Sequence, residues 1–155
     1  MVFKEICQDL FTVPDDYYLA HCISADFALG AGIAVEFNRR FNMRNLLKAQ
    51  HKDYLVDWDY EARRQDDSIA DYGDCLLIGR VFNLVTKRNY WYKPTAASLV
   101  IALSRMKELA LEHNVTKIAM PRIGCGLDRL EWVAVRHLIK EIFDDTDIEI
   151  LVCIQ

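Results

Sequence analysis

Short apolar runs of strand length alternate with amphipathic helical stripes along this sequence, and that alternation restricts the fold more than any other feature. Val2–Cys7 and Tyr18–Ser24 read as strands. After a glycine-bearing loop, Ile33, Phe37 and Phe41 recur at helical spacing, with Glu36, Asn38, Arg39 and Arg40 on other faces. Asn42 is placed to cap a further helix through Lys48. Cys75–Gly79 and Val81–Thr86 follow as neighbouring strands. Pro94 stands where a helix favours its first proline, and Ala96, Leu99, Val100, Leu103, Met106 and Ala110 form one stripe. Lys117–Met120 is a short strand. Trp132, Val135, Leu138, Ile139 and Ile142 make another stripe, and Ile148–Ile154 closes as a strand. Buried strands interleaved with amphipathic helices predict a three-layer α/β/α domain with a largely parallel sheet.

The length of 155 residues suits a single domain, large enough to bury about 70% of its unfolded surface without disulfides or metal. No apolar run approaches the roughly 20 residues of a membrane span, and the start of the chain lacks a signal-peptide pattern. A net charge of −4 argues against a general binder of phosphate backbones but not against one small phosphate ligand. The charge is uneven. Residues 53–74 hold eight acids against Arg63 and Arg64, a local −6 that leaves the rest of the chain at +2. This window reads as a solvated surface excursion with at most a short helix. The cysteines, Cys7, Cys22, Cys75, Cys125 and Cys153, are odd in number and scattered, with no Cys-x-x-Cys pair. That spacing excludes a structural zinc site and fits a reducing, intracellular compartment.

In open α/β sheets, ligands bind beyond the carboxyl ends of the strands. Two loops there have the composition for it: Gly30-Ala31-Gly32-Ile33-Ala34 and Arg122-Ile123-Gly124-Cys125-Gly126-Leu127-Asp128. Each precedes a helix, where bare backbone N–H groups and the helix start favour an anion, so together they could clamp a pyrophosphate. Neither is a dinucleotide fingerprint, since Val35 replaces the third glycine. Ordinary structural readings exist for the other polar residues. Asp128-Arg129-Leu130-Glu131 has capping-box spacing, Lys87 ends a strand at the surface, Asp9 suits a turn, and His21-Cys22 suits a buried strand.

Taken together, Gln8-Asp9-Leu10-Phe11, His21-Cys22-Ile23-Ser24, the Gly30–Phe37 run and Pro121-Arg122-Ile123-Gly124-Cys125-Gly126-Leu127-Asp128-Arg129 resemble a macrodomain. The likeness is to the branch of terminal ADP-ribose protein glycohydrolases and runs nearly end to end, residues 53–74 apart. It implies a mixed, largely parallel six-stranded sheet with ADP-ribose across its top. Asp9 would accept the adenine amino group, Leu10 would lie beside the ring, and Ser24 would sit near the distal ribose. Gly30, Ala31, Gly32 and Ile33 would line the pyrophosphate and distal ribose, with Ile123, Gly124, Cys125, Gly126 and Leu127 as the second phosphate loop.

In that branch a strand lysine is the nucleophile and a loop aspartate the general acid–base. Lys87 and Asp128 fall on those positions, and the chemistry needs the amine neutral. The resemblance implies removal of ADP-ribose from modified glutamate and aspartate side chains and from O-acyl-ADP-ribose. It implies no cofactor, no metal and no membrane partner. The protein is expected to be a monomer of the cytoplasm or nucleus that acts on ADP-ribosylated proteins, with nucleic-acid-linked ADP-ribose a further substrate class left open. A non-catalytic ADP-ribose reader and an ADP-ribose 1″-phosphate phosphatase stay open as alternatives. Cys153 and Gln155 replace an aromatic and a leucine that border the adenine pocket in the branch.

Overall fold

A computed structural model describes residues 1–64, 71–126 and 130–155. The apolar runs extend as β1 (Val2–Cys7), β2 (Tyr18–Ser24), β3 (Asp74–Ile78), β4 (Val81–Lys87), β5 (Lys117–Met120) and β6 (Glu149–Ile154). They join into one six-stranded sheet in the order β1-β6-β5-β2-β4-β3. Every neighbouring pair is parallel except the β3–β4 hairpin.

Alternation along the strands sends side chains into two cores. Leu19, Ile23, Val81 and Val85 meet α1 (Ile33–Phe41), α2 (Met43–Gln50) and α3 (Tyr54–Arg64) on one face. Ala20, Phe82, Leu84 and Ile118 meet α4 (Ala96–Glu112) and α5 (Trp132–Phe143) on the other. The result is the expected three-layer α/β/α arrangement with a mixed, largely parallel sheet.

Element ends depart from the sequence expectations in three places. Pro94 precedes the helix, because Thr95 is the N-cap of α4 and exchanges reciprocal hydrogen bonds with Ser98. Asn42 sits at the start of α2 in a left-handed conformation and its side chain caps nothing; it accepts instead from Asn45 at 2.9 Å. The helix read as starting at an Asp128 cap begins at Trp132, with Glu131 as the N-cap of α5 and no side-chain cap bond from it, while Asp128 itself lies outside the described residues. The acidic stretch is also more than a solvated excursion. It contributes the 11 residues of α3, and Tyr54 and Trp58 enter the core.

The sheet is open at one edge. β2 and β5 pair only through Tyr18–Ile118 and Leu19–Ala119. Beyond that, β2 runs on beside β4 to Ser24 while β5 ends at Met120. The carboxyl ends of five parallel strands, β1, β6, β5, β2 and β4, therefore surround a gap in the middle of the sheet.

Candidate functional site: a cleft across the carboxyl edge of the sheet

Two cavities occupy that edge, of about 840 Å³ and 710 Å³. Ile33, Pro121, Arg122 and Gly126 line both, so they are two ends of one cleft.

The first end lies over β1 and β6. Asp9, Leu10, Phe11, Cys153 and Gln155 border it. Asp9 is the N-cap of a short 3-10 turn over Leu10–Thr12, and its Oδ1 accepts the Phe11 N–H at 3.0 Å. Thus the turn role read from sequence is present, and the same residue faces the cavity. The Arg40 guanidinium lies 4.5 Å from the Phe11 ring centroid, and Phe11 packs edge-on against Phe37 at 5.0 Å.

Trp132, which the sequence reading placed only in a helical stripe, also borders this end. Its indole N–H donates to Glu5 at 2.7 Å, and Arg136 binds both oxygens of the same carboxylate at 3.0 Å. Burial acts to raise the Glu5 pKa, but the Arg136 and Trp132 hydrogen bonds outweigh it and hold the carboxyl below its ordinary value. A bulky indole fixed by an ion pair is a wall, and no local spacing announces that a strand glutamate will hold it.

The second end lies over β2 and β4. Gly30, Ala31, Gly32 and Ile33 line it, opposite Ile123, Gly124 and Gly126. Gly32 is the N-cap of α1 with φ 62° and ψ −150°, a conformation that L side chains rarely adopt. The chain thereby turns into the helix with bare backbone at its start, which is how a helix N-terminus is opened to an anion. Cys125 borders the first end. Burial raises its thiol pKa, and its Sγ lies 3.4 Å from the Ile123 carbonyl, so it is a packing group and not an activated nucleophile.

Lys87, the last residue of β4, lines this second end beside Ser24. The two are register partners across the sheet, and the Ala25 N–H donates to the Lys87 carbonyl at 2.9 Å. Ser24 is buried and its hydroxyl donates to Asp26. Asp26 also accepts from the Ala28 N–H at 3.2 Å and the Tyr90 N–H at 3.0 Å. This carboxylate ties the first glycine loop to the segment after β4, and the sequence reading missed it because its partner lies 64 residues away. That segment adds three aromatic residues to the cavity wall, Tyr90, Trp91 and Tyr92, which were also missed.

The structure therefore brings Asp9, Leu10, Ser24, Gly30, Ala31, Gly32, Ile33, Lys87, Ile123, Gly124, Cys125 and Gly126 to one cleft. Leu127 and Asp128 lie outside the described residues. His21 does not reach the cleft. It is fully buried, stacked on Phe37 at 3.8 Å and bonded through Nε2 to the Asn83 side chain at 2.6 Å. Burial lowers its pKa to about 4 against the raising effect of Asn83, so it is a neutral core residue. No cluster of three or more metal-ligating side chains occurs among the described residues, and no described helix is long and apolar enough to cross a membrane.

No protein-family model matches the chain. A human protein named ADP-ribose glycohydrolase OARD1 is 40% identical over 149 residues, which cover 93% of this chain and 86% of the relative. The bovine protein of the same name is 39% identical over the same length. Among solved structures, the macrodomain of Thermus aquaticus DarG matches with a TM-score of 0.74 at 19% identity, over 98% of this chain and 97% of that one. Thermosipho africanus DarTG, solved in complex with ADP-ribose, matches with a TM-score of 0.65 at 17% identity, over 99% of this chain and 42% of that one. The structural likenesses define the fold, the curated ones the family: this chain has the macrodomain fold and belongs to the ADP-ribose glycohydrolase OARD1 family.

Proposed function

We propose that this protein binds ADP-ribose along the cleft and hydrolyses the ester that joins the distal ribose to a glutamate or aspartate side chain. The supporting observation is that Lys87 lines the same cavity as both glycine loops. A reader module needs the loops but has no use for a primary amine at the ribose end.

In this reading adenine lies between Asp9 and the β6 end, the diphosphate between the glycine loops, and C1″ of the distal ribose at Lys87. The neutral amine attacks C1″, and the C1″–O bond breaks with its electron pair leaving on the protein carboxylate. Asp128 takes the proton shed by nitrogen. Asp128 hands that proton to O4″ as the ring opens to an imine; water adds to C1″ and passes a proton through Asp128 to nitrogen, and the C1″–N bond breaks to release free ADP-ribose and restore the amine. O-acyl-ADP-ribose presents a related ester to the same cleft. That none of the five cysteines is joined in a disulfide is consistent with action inside the cell.

The test is incubation with a glutamate-ADP-ribosylated protein and chromatography for free ADP-ribose. Wild type is expected to release it. Lys87→Ala is expected to keep ADP-ribose affinity and lose release, and Asp128→Ala to bind while accumulating mass on Lys87. Turnover by Lys87→Ala at the wild-type rate would remove the covalent route, and wild-type binding without release would leave a reader. Release of inorganic phosphate from ADP-ribose 1″-phosphate, with the protein ester untouched, would make it a phosphatase.

A further inference from the structure

We propose that Asp26 is a positioning residue of the ribose end, which fixes Ser24 as a hydrogen-bond acceptor beside Lys87 and joins the two wall segments around them. This deepens the ester-hydrolase reading above and rests on it for the place of the distal ribose.

Strands β2 and β4 change register where the chemistry is proposed. Ile23 pairs with Val85, but the next residue, Ser24, pairs with Lys87. Thr86 is thus the extra residue of a bulge in β4. A bulge beside a site re-aims the side chains that follow it. Here it sets Ser24 and Lys87 side by side on the wall of one cavity. Thr86 is buried, and among the described residues its hydroxyl has no hydrogen-bond partner. An unpartnered buried hydroxyl costs stability, so the irregularity is held by bonds made elsewhere.

The backbone supplies two of them. The Ala25 N–H donates to the Lys87 carbonyl at 2.9 Å, and the Asp26 N–H to the Arg88 carbonyl at 3.1 Å. The Asp26 carboxylate adds three more. Its Oδ1 accepts from the Ser24 hydroxyl and the Ala28 N–H, and its Oδ2 from the Tyr90 N–H. Ser24, Ala28 and Tyr90 all line the Lys87 cavity, and Asp26 itself does not. One carboxylate behind the wall therefore fixes it at three points, on segments 64 residues apart in the sequence.

The bond to Ser24 also decides what that residue offers a ligand. A serine hydroxyl has one hydrogen and two lone pairs, and a carboxylate only accepts. The hydrogen is spent on Asp26, so Ser24 meets the cavity as an acceptor. An acceptor suits a hydroxyl of the distal ribose and repels the oxygens of a diphosphate. It thus favours the sugar over the phosphates at this point, next to the Lys87 amine. A displacement of about 1 Å at a reacting atom costs on the order of 100-fold in rate, so a wall fixed in this way acts on kcat.

The experiment uses Asp26→Ala, Asp26→Asn and Ser24→Ala. Calorimetry gives affinities for ADP-ribose and for AMP, and ADP-ribose release from a glutamate ester gives kcat and KM. AMP lacks the distal ribose, so in the proposed pose it reports the adenine end. Asp26→Ala is expected to weaken ADP-ribose about tenfold, to weaken AMP no more than about twofold, and to lower kcat at least about tenfold. Asp26→Asn, which keeps the shape and one acceptor oxygen, should lose less in the same direction. In a Ser24→Ala background, Asp26→Ala should cost at least about threefold less in kcat/KM than it does in wild type, because the two residues act together. Equal losses for AMP and ADP-ribose would make Asp26 a support of the fold alone. Losses at Ser24 and Asp26 that simply multiply would overturn the assignment of Ser24. Wild-type kcat and ADP-ribose affinity in Asp26→Ala would overturn the whole proposal. A wild type inert on the ester defeats the hydrolase reading instead, and the ADP-ribose and AMP affinities then decide the role of Asp26 on their own.

Discussion

Among the described residues a Cβ built on Gly126 would meet no atom within 4 Å, whereas any side chain on Gly32 is strained by its φ of 62°. Gly126→Glu therefore tests the phosphate loops more cleanly than Gly32→Glu. The described residues leave room for the new side chain, while a diphosphate beside it would face a carboxylate. Calorimetry is expected to show ADP-ribose affinity at least about 100-fold weaker, about 2.7 kcal/mol, with thermal stability close to wild type. Wild-type affinity would remove this loop from the site. Asp9 caps the 3-10 turn and, in the proposed pose, accepts the adenine amino group, so Asp9→Ala is expected to weaken ADP-ribose by roughly 1.5–3 kcal/mol and to flatten the preference for adenine over hypoxanthine. His21 makes a separate, pH-dependent contribution. Its folded pKa of about 4 lies below the ordinary value near 6.5, so the native state binds its proton less readily than the unfolded chain. The stabilisation is fully present above about pH 6.5, is lost as pH falls toward 4, and changes no further below that. The loss is on the order of 3 kcal/mol. Urea midpoints between pH 7 and 4 check it, because His21→Asn should lack this part of the slope. The sequence made His21 and the glycine loops readable, since an apolar strand and a Gly-x-Gly turn are local patterns. It gave no sign of the long-range contacts of Asp26 and Trp132, which reach the Tyr90 N–H in the loop after β4 and Glu5 in β1.

Helix α3 is where charge counting misleads. Its exposed residues carry the acids, yet Trp58 is 5% exposed, packs edge-on against Tyr72 at 4.7 Å and belongs to the same core as Tyr54 and Phe27. The Tyr54 hydroxyl donates to Asp74 at the start of β3, and burial, followed by the Asp74 charge, pushes its pKa up. Trp58→Ala is accordingly expected to cost about 3–5 kcal/mol in denaturant unfolding, the range for deleting a buried aromatic. A solvated insertion would give no more than about 0.5 kcal/mol. The strands were legible because each is a short apolar run bounded by polar residues, and their limits agree within a residue or two. The α3 signal was hidden by its composition: its two large core residues, Tyr54 and Trp58, stand among acids, so the average polarity outweighs the period. The Arg88–Asp59 clamp makes the consequence functional, because this helix sets the loop that walls the Lys87 end.

At the scale of the molecule, the short β2–β5 ladder divides the sheet into two parts that share few backbone bonds near the cleft. β1, β6 and β5 carry one side, with Asp9, Cys153 and the Arg122–Gly126 loop at their ends. β2, β4 and β3 carry the other, with Ser24, the Gly30–Ile33 loop and Lys87. A ligand lying along the cleft would touch both parts at once and bridge a gap that main-chain pairing leaves open. Binding to the native state alone at about 100 times Kd adds about 2.7 kcal/mol. For a chain of this size that corresponds to a rise in Tm of roughly 5–10 °C. Bridging adds a second, spatial expectation. Hydrogen-exchange protection on adding ADP-ribose should grow together in residues 8–11, 25–33 and 121–126, with the backs of α2 and α4 unchanged. AMP, which under the proposed pose reaches only the Asp9 end and the nearer phosphate site, should protect 8–11 and leave most of 25–33 as in the free protein. Protection by AMP equal to that by ADP-ribose at the Gly30–Ile33 loop would mean that the two parts respond as a rigid unit, and the bridging account would fall.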